Sequence, residues 1–474
     1  MKKIGILAAI SFLCTRAFAQ DTHYWTQQFG TRSALLGGAV VGGVRDNSMI
    51  FYNPAAIAFI DTSSFSINAN LYQAENTVVK NILTKEKEFA SLQLTSIPLL
   101  TSGQFKARVP NMRISYGVFS PAAFQFRGQA HLTGQYAVVP DDESPGKEAF
   151  VGDINVFTRM RELDFAFGVS YKLDEHWSIG LTHLIDVRTH FYNRSVFTYY
   201  VLNNAEQTLV NSSLTQGFNY YNVRYMPKLG VAFRGNKWSW GATVTSPGIR
   251  IMGTGAVGVD VLGTNVKAGA PQRSSLVINN RQTKIKSRFK SPYSVASGLE
   301  FRHRRTSYLV SAQYFGRQQV YTVLQGNQTP YVLPATAASL IGEEGLLQVK
   351  TAARPVLNVA VGIERALSEQ TSLNLSFRNN NSYYDPQLLQ ESGIRPDIST
   401  WNMYHVVGGV TIRRPRSSVS LGLAFGFGND KARKEQYLPL LSETDFFKNP
   451  ITLTQASYTS LGFLMGYNYF LKKG

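Results

Sequence analysis

The chain has 474 residues and a formal net charge of +18, with 12% aromatic and only 16% charged residues. After residue 20 it holds no apolar run of the roughly 18 residues that a membrane helix needs, which excludes a helical membrane protein. Its basic residues are scattered among periodic segments without a compact cluster, which excludes a nucleic-acid-binding module.

The first segment in chain order is a signal. Lys2 and Lys3 precede an apolar run from Ile4 to Leu13, and Ala17-Phe18-Ala19 supplies small residues before Gln20. Residues 1–19 therefore read as a secretory signal peptide. The only cysteine, Cys14, lies within it, and Leu13 before that cysteine argues against a lipoprotein. Removing Lys2, Lys3 and Arg16 lowers the charge from +18 to +15 and leaves a chain without thiols.

Residues 20–62 come next, more than strand pairing needs. They run Gly30-Thr-Arg-Ser-Ala-Leu-Leu-Gly-Gly-Ala39, then Asp46-Asn-Ser48, then Asn53-Pro54-Ala55. Asn caps free amides at a helix start, and Pro at the first helical position has no amide to satisfy. The segment is too small and too rich in glycine for a free-standing domain. Its economical place is inside a barrel, as a plug (hatch) with one short helix.

From residue 63 to 474 the pattern is β. Val419, Leu421, Leu423, Phe425 and Phe427 alternate with small or polar residues, as do Phe165, Phe167, Val169 and Tyr171. Lipid-facing and lumen-facing positions alternate in this way over about ten residues of a barrel strand. Strands beginning near 63, 89, 111, 163, 176, 221, 237, 285, 306, 356, 371, 402, 417 and 457 make fourteen. Short turns at 174–175, 235–236, 304–305, 368–369 and 414–415 alternate with long segments near 190–220, 250–290, 316–355, 379–400 and 429–456. The expectation is an all-β protein: a 14-stranded antiparallel transmembrane barrel in a bacterial outer membrane, with both termini in the periplasm and long loops outside. Anionic lipid headgroups, lipopolysaccharide included, fit the positive charge.

Motifs that mimic chemistry fall away. Gly253-Thr-Gly-Ala-Val-Gly258 matches a dinucleotide fingerprint but leads into a β-branched stretch where a helix is required. Asp141-Asp-Glu143 reads as a solvated acidic loop. The seven histidines lack ligand spacing, and His131, His183 and His405 read as polar lining. No metal, no cofactor and no enzymatic activity are expected.

The order G-x-R-x-x-x-x-G-G-A, D-x-S, N-P-A behind a signal peptide resembles the FadL family of hydrophobic-compound transporters. Ile114-Ser-Tyr-Gly-Val-Phe-Ser-Pro121, Phe165-Ala-Phe-Gly-Val-Ser-Tyr-Lys172, Pro227-Lys-Leu-Gly-Val231 and Pro292-Tyr-Ser-Val-Ala-Ser-Gly298 extend the resemblance along the chain. The resemblance implies passive uptake of long-chain fatty acids or other small hydrophobic molecules. Asp46, Asn53, Pro54 and Ala55 would belong to the hatch, beside a kinked third strand through which the ligand leaves sideways. Pro110, Gly117 and Pro121 are the candidate kink positions, because Pro and Gly weaken sheet pairing. Arg32, Arg45, Arg108 and Arg113 are candidates to meet a carboxylate headgroup. Phe191, Tyr192, Phe197, Tyr199 and Phe218 are candidates for an outer hydrophobic groove. A second reading is a PorV-type shuttle that binds folded cargo in type IX secretion, with secretion machinery as partner.

With Cys14 confined to the signal, reductant is expected to leave the heat-dependent gel-mobility shift of the folded barrel unchanged; a reductant-sensitive shift would place the cleavage site elsewhere.

Overall fold

In a computed structural model, residues 22–60, 62–81, 88–267, 272–327, 331–334, 347–436 and 451–471 are described. The expected signal peptide and Cys14 lie outside them. The wall begins with β1 (Ser64–Lys80), β2 (Glu88–Lys106), β3 (Met112–Phe119), β4 (Ala123–Tyr136), β5 (Glu148–Lys172), β6 (Trp177–Val201) and β7 (Leu209–Arg234). It continues through β8 (Trp238–Thr245), β9 (Ile249–Val266), β10 (Ser274–Lys286), β11 (Ser294–His303) and β12 (Thr306–Phe315). After β13 (Gln318–Gln325), β14 (Tyr331–Leu333) and β15 (Gln348–Ala353) come β16 (Val356–Ala366) and β17 (Thr371–Asn380). The wall ends with β18 (Met403–Arg414), β19 (Ser417–Gln436) and β20 (Ile451–Phe470).

One sheet holds eighteen of these segments. Three wall strands are each broken in two, as β3/β4, β8/β9 and β10/β11, and β14 is a short addition to β10, so the wall has fourteen strands. β20 pairs antiparallel with β1 from Ser64↔Phe470 to Lys80↔Gln455 and closes the ring. The expected strand number holds.

Several starts were placed too late by alternation alone. β5 begins at 148 where 163 was expected, β7 at 209 where 221 was expected, and β10 at 274 where 285 was expected. The segments 190–220 and 250–290 are accordingly long paired hairpins, β6/β7 and β9/β10, where loops were expected. Beyond the lipid band both faces of a strand admit polar residues, as in Asn193-Arg-Ser195, and the period-two signal fades. The fingerprint Gly253–Gly258 lies inside β9. Glu143, in the connection between β4 and β5, pairs with Lys267 and Arg273 in the connection between β9 and β10, and the hydrogen bond from Lys267 with the nearby guanidinium holds its carboxyl below the usual range.

Residues 22–60 are almost wholly buried within the short-turn half of the ring. They contain one helical turn, α1 (Met49–Tyr52), and a 3-10 helix at Pro54–Phe59. The capped helix expected at Asn53-Pro54 is thus the tighter kind. The Asn53 side chain accepts from the amide of Ala55 (3.1 Å) and donates to the carbonyls of Val41 (3.2 Å) and Val231 (3.0 Å). One asparagine caps the helix and fastens it to the wall.

The wall makes room with glycine. Gly180 on β6 faces Gly230 on β7 in register, and Gly241 on β8 faces Gly298 on β11. A Cβ on Gly180 would stand 2.5 Å from the backbone of Pro54 and Ala55, and one on Gly241 would collide with the carbonyl of Val41. Gly180→Val is therefore expected to expel the Asn53–Phe59 segment while β6 keeps its ladder. Cells carrying it should become permeable to a large hydrophilic antibiotic, with normal heat-modifiable barrel on gels; unchanged permeability would count against this packing.

Candidate functional site

A buried irregular segment must satisfy its backbone from outside itself. Here polar wall side chains do so. Ser178 donates to the carbonyl of Ala55 (2.8 Å), Thr182 to Ile50 (3.1 Å) and Ser376 to Leu35 (3.0 Å), while Ser311 accepts from the amide of Val41 (3.0 Å). Lys228 and Arg378 donate to the carbonyls of Phe51 and Trp25. Asp46 organises the segment from within, accepting from the amides of Arg32 (2.8 Å), Ser33 (2.9 Å) and Ser48 (3.1 Å).

The candidate headgroup arginines are placed differently from one another. Arg32 is buried and donates from Nε to Glu364 (2.6 Å), with Glu300 at 3.6 Å, and Arg45 pairs with Glu300. Both are counter-ions of wall glutamates. Arg108 is exposed on the short turn between β2 and β3, and Arg113 is buried at the start of β3.

Of the candidate kink residues, Pro110 lies in that same short turn and Gly117 in an unbroken part of β3. Only Pro121 lies where the strand is interrupted. β3 ends at Phe119, opposite Asp164, and β4 resumes at Ala123, opposite Arg161. Three residues therefore face two, a bulge in which Pro121 has no amide to offer the ladder. On the other side, the ladder from β2 runs from Lys106↔Arg113 to Leu100↔Phe119. Above it the amide of Arg127 donates to the Ser91 side chain (2.9 Å).

This interruption opens on a cavity of 130 Å³ above the buried segment. Pro121 and Ala122 line it on one side; Phe289 and Pro292, from the break between β10 and β11, line it on another. Its floor is Tyr24, Trp25 and Phe51. Tyr24 stacks between Phe315 (4.2 Å between centroids) and Tyr383 (4.5 Å), and Trp25 donates to Gln313 (2.7 Å). His23 donates from Nε2 to the carbonyl of Trp401 (2.9 Å); burial holds this imidazole neutral, with a pKa down at about 3. The connection between β17 and β18 is thereby drawn inward, with Leu388 and Trp401 buried.

One wall of the cavity is charged. Glu162 accepts from Arg188 (2.8 Å) and Arg224 (3.0 Å), and Arg224 also pairs with Asp186. Both guanidiniums lie over the ring of Phe289, at 3.9 and 4.7 Å. Stacked planar cations that also carry carboxylates keep their charge without open water. No single stretch of the sequence marks this cluster as a unit. Its signal was present: Glu162, Asp186, Arg188 and Arg224 all fall on lumen-facing positions of alternating strands.

Above the cavity lies an apolar cluster that includes Phe126, Phe150, Ile154, Val196, Val259 and Ile278. The candidate groove residues do not form one surface. Tyr192 and Phe218 point inward and stack (5.5 Å), whereas Phe191 and Tyr199 face outward and Phe197 is half-buried on the outward side. His183 faces outward beside Tyr225 (2.6 Å), and the exposed His131 meets Asp153 (2.8 Å). His405 is buried on β18.

A closed fourteen-stranded ring, apolar outside and filled by its own first forty described residues, defines an outer-membrane-type β-barrel with an occluded lumen. The same fold is found in a FadL homologue from Pseudomonas aeruginosa, with 12% identity, 96% of this chain and 99% of that one covered, and a TM-score of 0.58. The toluene transporter TodX of Pseudomonas putida gives 13%, 96%, 100% and 0.55, and the toluene transporter TbuX of Ralstonia pickettii gives 12%, 94%, 99% and 0.50. In sequence, the chain is 27% identical over 128 residues to NMB0088 of Neisseria meningitidis serogroup B, whose name places it provisionally in the outer membrane. That match spans 26% of this chain and about a quarter of the relative, 27%. No family model matches.

Asp186→Asn is expected to strand the Arg224 guanidinium, only 1% exposed, with one carboxylate where it had two. Loss of one partner from a buried pair costs about 3–5 kcal/mol. The temperature at which the barrel loses its compact gel mobility should fall measurably, and Asp186→Glu should restore most of it.

Proposed function

We propose that the protein is a passive outer-membrane channel for small hydrophobic molecules, and not an enzyme. The observation that carries this reading is the meeting of three things at one place: a ring-lined cavity, the top of the buried segment and the interruption of the third strand at Pro121. In this reading residues 20–62 are a hatch behind a signal peptide of residues 1–19. The short turns and both termini face the periplasm, and the long hairpins face out. A molecule enters through the apolar cluster at the hairpin end, rests against Phe51, Phe289 and Phe315, and leaves sideways beside Pro121 and Ala122 into the membrane.

Physics favours that exit, since an acyl chain keeps about 0.8 kcal/mol per methylene by staying in apolar surroundings. Size narrows the cargo. A dry cavity of about 150 Å³ accepts benzene, so the 130 Å³ here suits one aromatic ring or a short run of methylenes at a time. Toluene, named for the transporters that share the fold, is of that size, and a long-chain fatty acid would have to thread through.

Deleting Pro121 removes the extra residue and lets β3 and β4 join as one regular strand. Uptake of labelled toluene and oleate by cells making the wild-type protein is expected to exceed that of cells lacking it, and the deletion should bring it back to the empty-strain level with the barrel assembled. If neither probe enters faster with the wild-type protein, the transport reading fails, and co-purification with a secretion channel becomes the measurement that decides for a cargo shuttle.

A further inference from the structure

The lipid-facing side of the wall changes character abruptly along one diagonal. On β5 the outward positions Leu163, Phe165, Phe167, Val169 and Tyr171 are apolar. They cover about 26 Å of strand, or roughly 20 Å of height at the usual tilt, close to a complete apolar band. The next two outward positions are Arg161 and Arg159. In register with Leu163 run Val187, Val223 and Met252, an apolar row; one step higher, in register with Arg161, run Thr189, Tyr221 and Thr254. At this step the surface is hollowed into a groove lined by Arg159, Thr189, Phe191, Asn219, Tyr221 and Lys284.

Two facts separate this groove from an ordinary basic rim. Arg159, Arg161 and Lys284 make no ion pair among the described residues, whereas Arg32, Arg188 and Arg224 each hold a carboxylate. The groove also mixes cations with hydroxyl and amide donors and with the ring faces of Phe191 and Tyr221, directly above an apolar row. That is the arrangement an anionic amphiphile needs: charge-assisted hydrogen bonds for the head, and a greasy track below for the tail.

We propose that this groove is a binding site for a lipid with a phosphorylated headgroup, seated in the outer leaflet. Its phosphates lie between Arg159, Arg161 and Lys284, and its acyl chains run down over Leu163, Val187 and Met252. The site is on the outside of the barrel and is independent of what passes through the lumen. The assignment to the outer leaflet rests on the orientation proposed above.

Native mass spectrometry of the full-length protein in detergent, titrated with bisphosphorylated lipid A, reads the site directly. The combined variant Arg159→Gln, Arg161→Gln, Lys284→Gln is expected to lower lipid occupancy at least about tenfold, since each cation near an anionic head contributes separately. Arg159→Lys should keep most of it, and Arg304→Gln with Arg305→Gln, cations of a short turn, should change nothing. Heat-modifiable mobility checks that each variant is folded. Equal occupancy in the combined variant and the wild type would overturn the proposal, and so would displacement of the lipid by millimolar inorganic phosphate alone, which would make this a free-anion site. Orientation has its own readout: a tag inserted at Gly235-Asn236 that is reached in intact cells would overturn the outer-leaflet assignment even if lipid A binds in detergent.

Discussion

Every backbone amide and carbonyl in a membrane must find a partner within the protein, and the rest of this structure follows from that constraint. The wall meets it by closing β20 onto β1 over the full length of β1. Closure leaves no sheet edge, so the chain needs no disulfide and no long helix to hold its shape. It also forces the lumen to be lined by every second residue of fourteen strands. Serine, threonine, asparagine and glycine fill most of those positions in the short-turn half. The residues that keep the wall's inner face small and polar are the same ones that receive the N-terminal segment.

That segment is irregular, and an irregular backbone in a dry interior is costly unless each group is paired. The charged contacts are therefore best seen as fasteners. Asp46 gathers three amides of the segment, and Arg32 carries the gathered loop to Glu364 on β16 and Glu300 on β11, two strands with only β12 between them. Arg413 and Ser372 hold Glu364 in turn. Removing any one of these would leave a buried charge or donor alone, which is why such a network gives rigidity more readily than net stability. A locally held segment can open without unfolding the ring around it, which is the difference in stability that the proposed hatch role would need.

Three breaks of the wall gather around one cavity. The breaks at Ser120–Ala122, Ser246–Gly248 and between Lys286 and Ser294 each contain proline, and all three contribute residues to, or stand beside, the same cavity. Proline withholds the amide that a neighbouring strand would use, so the wall is locally unpaired wherever it appears mid-strand. The aromatic rings and the stacked arginines of that cavity take up the space. In the proposed channel, this gathering of breaks around one chamber would set the ligand's exit at a single height.

Much of this was legible in the sequence. Alternation of apolar with small residues marks a half-buried strand by itself, because side chains on a strand change face at every step. The fourteen strands, the short turns and the capped Asn53-Pro54 start all came from such local rules. Pro121 is a kink candidate beside Pro110 and Gly117 for the same reason, since a proline's missing amide is a property of the residue. Period two reveals a residue's face but not its height along the barrel or its neighbour across the lumen. Arg32 carries no local sign of its partners, because Glu364 and Glu300 lie some three hundred residues away, brought near only by the register of strands that pair in sequence around the ring. Phe191 and Tyr192 were read as one aromatic patch, and the pleat sends them to opposite sides of the wall. The charged cluster of Glu162, Asp186, Arg188 and Arg224 needed the registers of three neighbouring strands, β5 to β6 and β6 to β7, to coincide. Local chemistry determined which residues form strands and where the chain turns; only closure of the ring decided which of them meet.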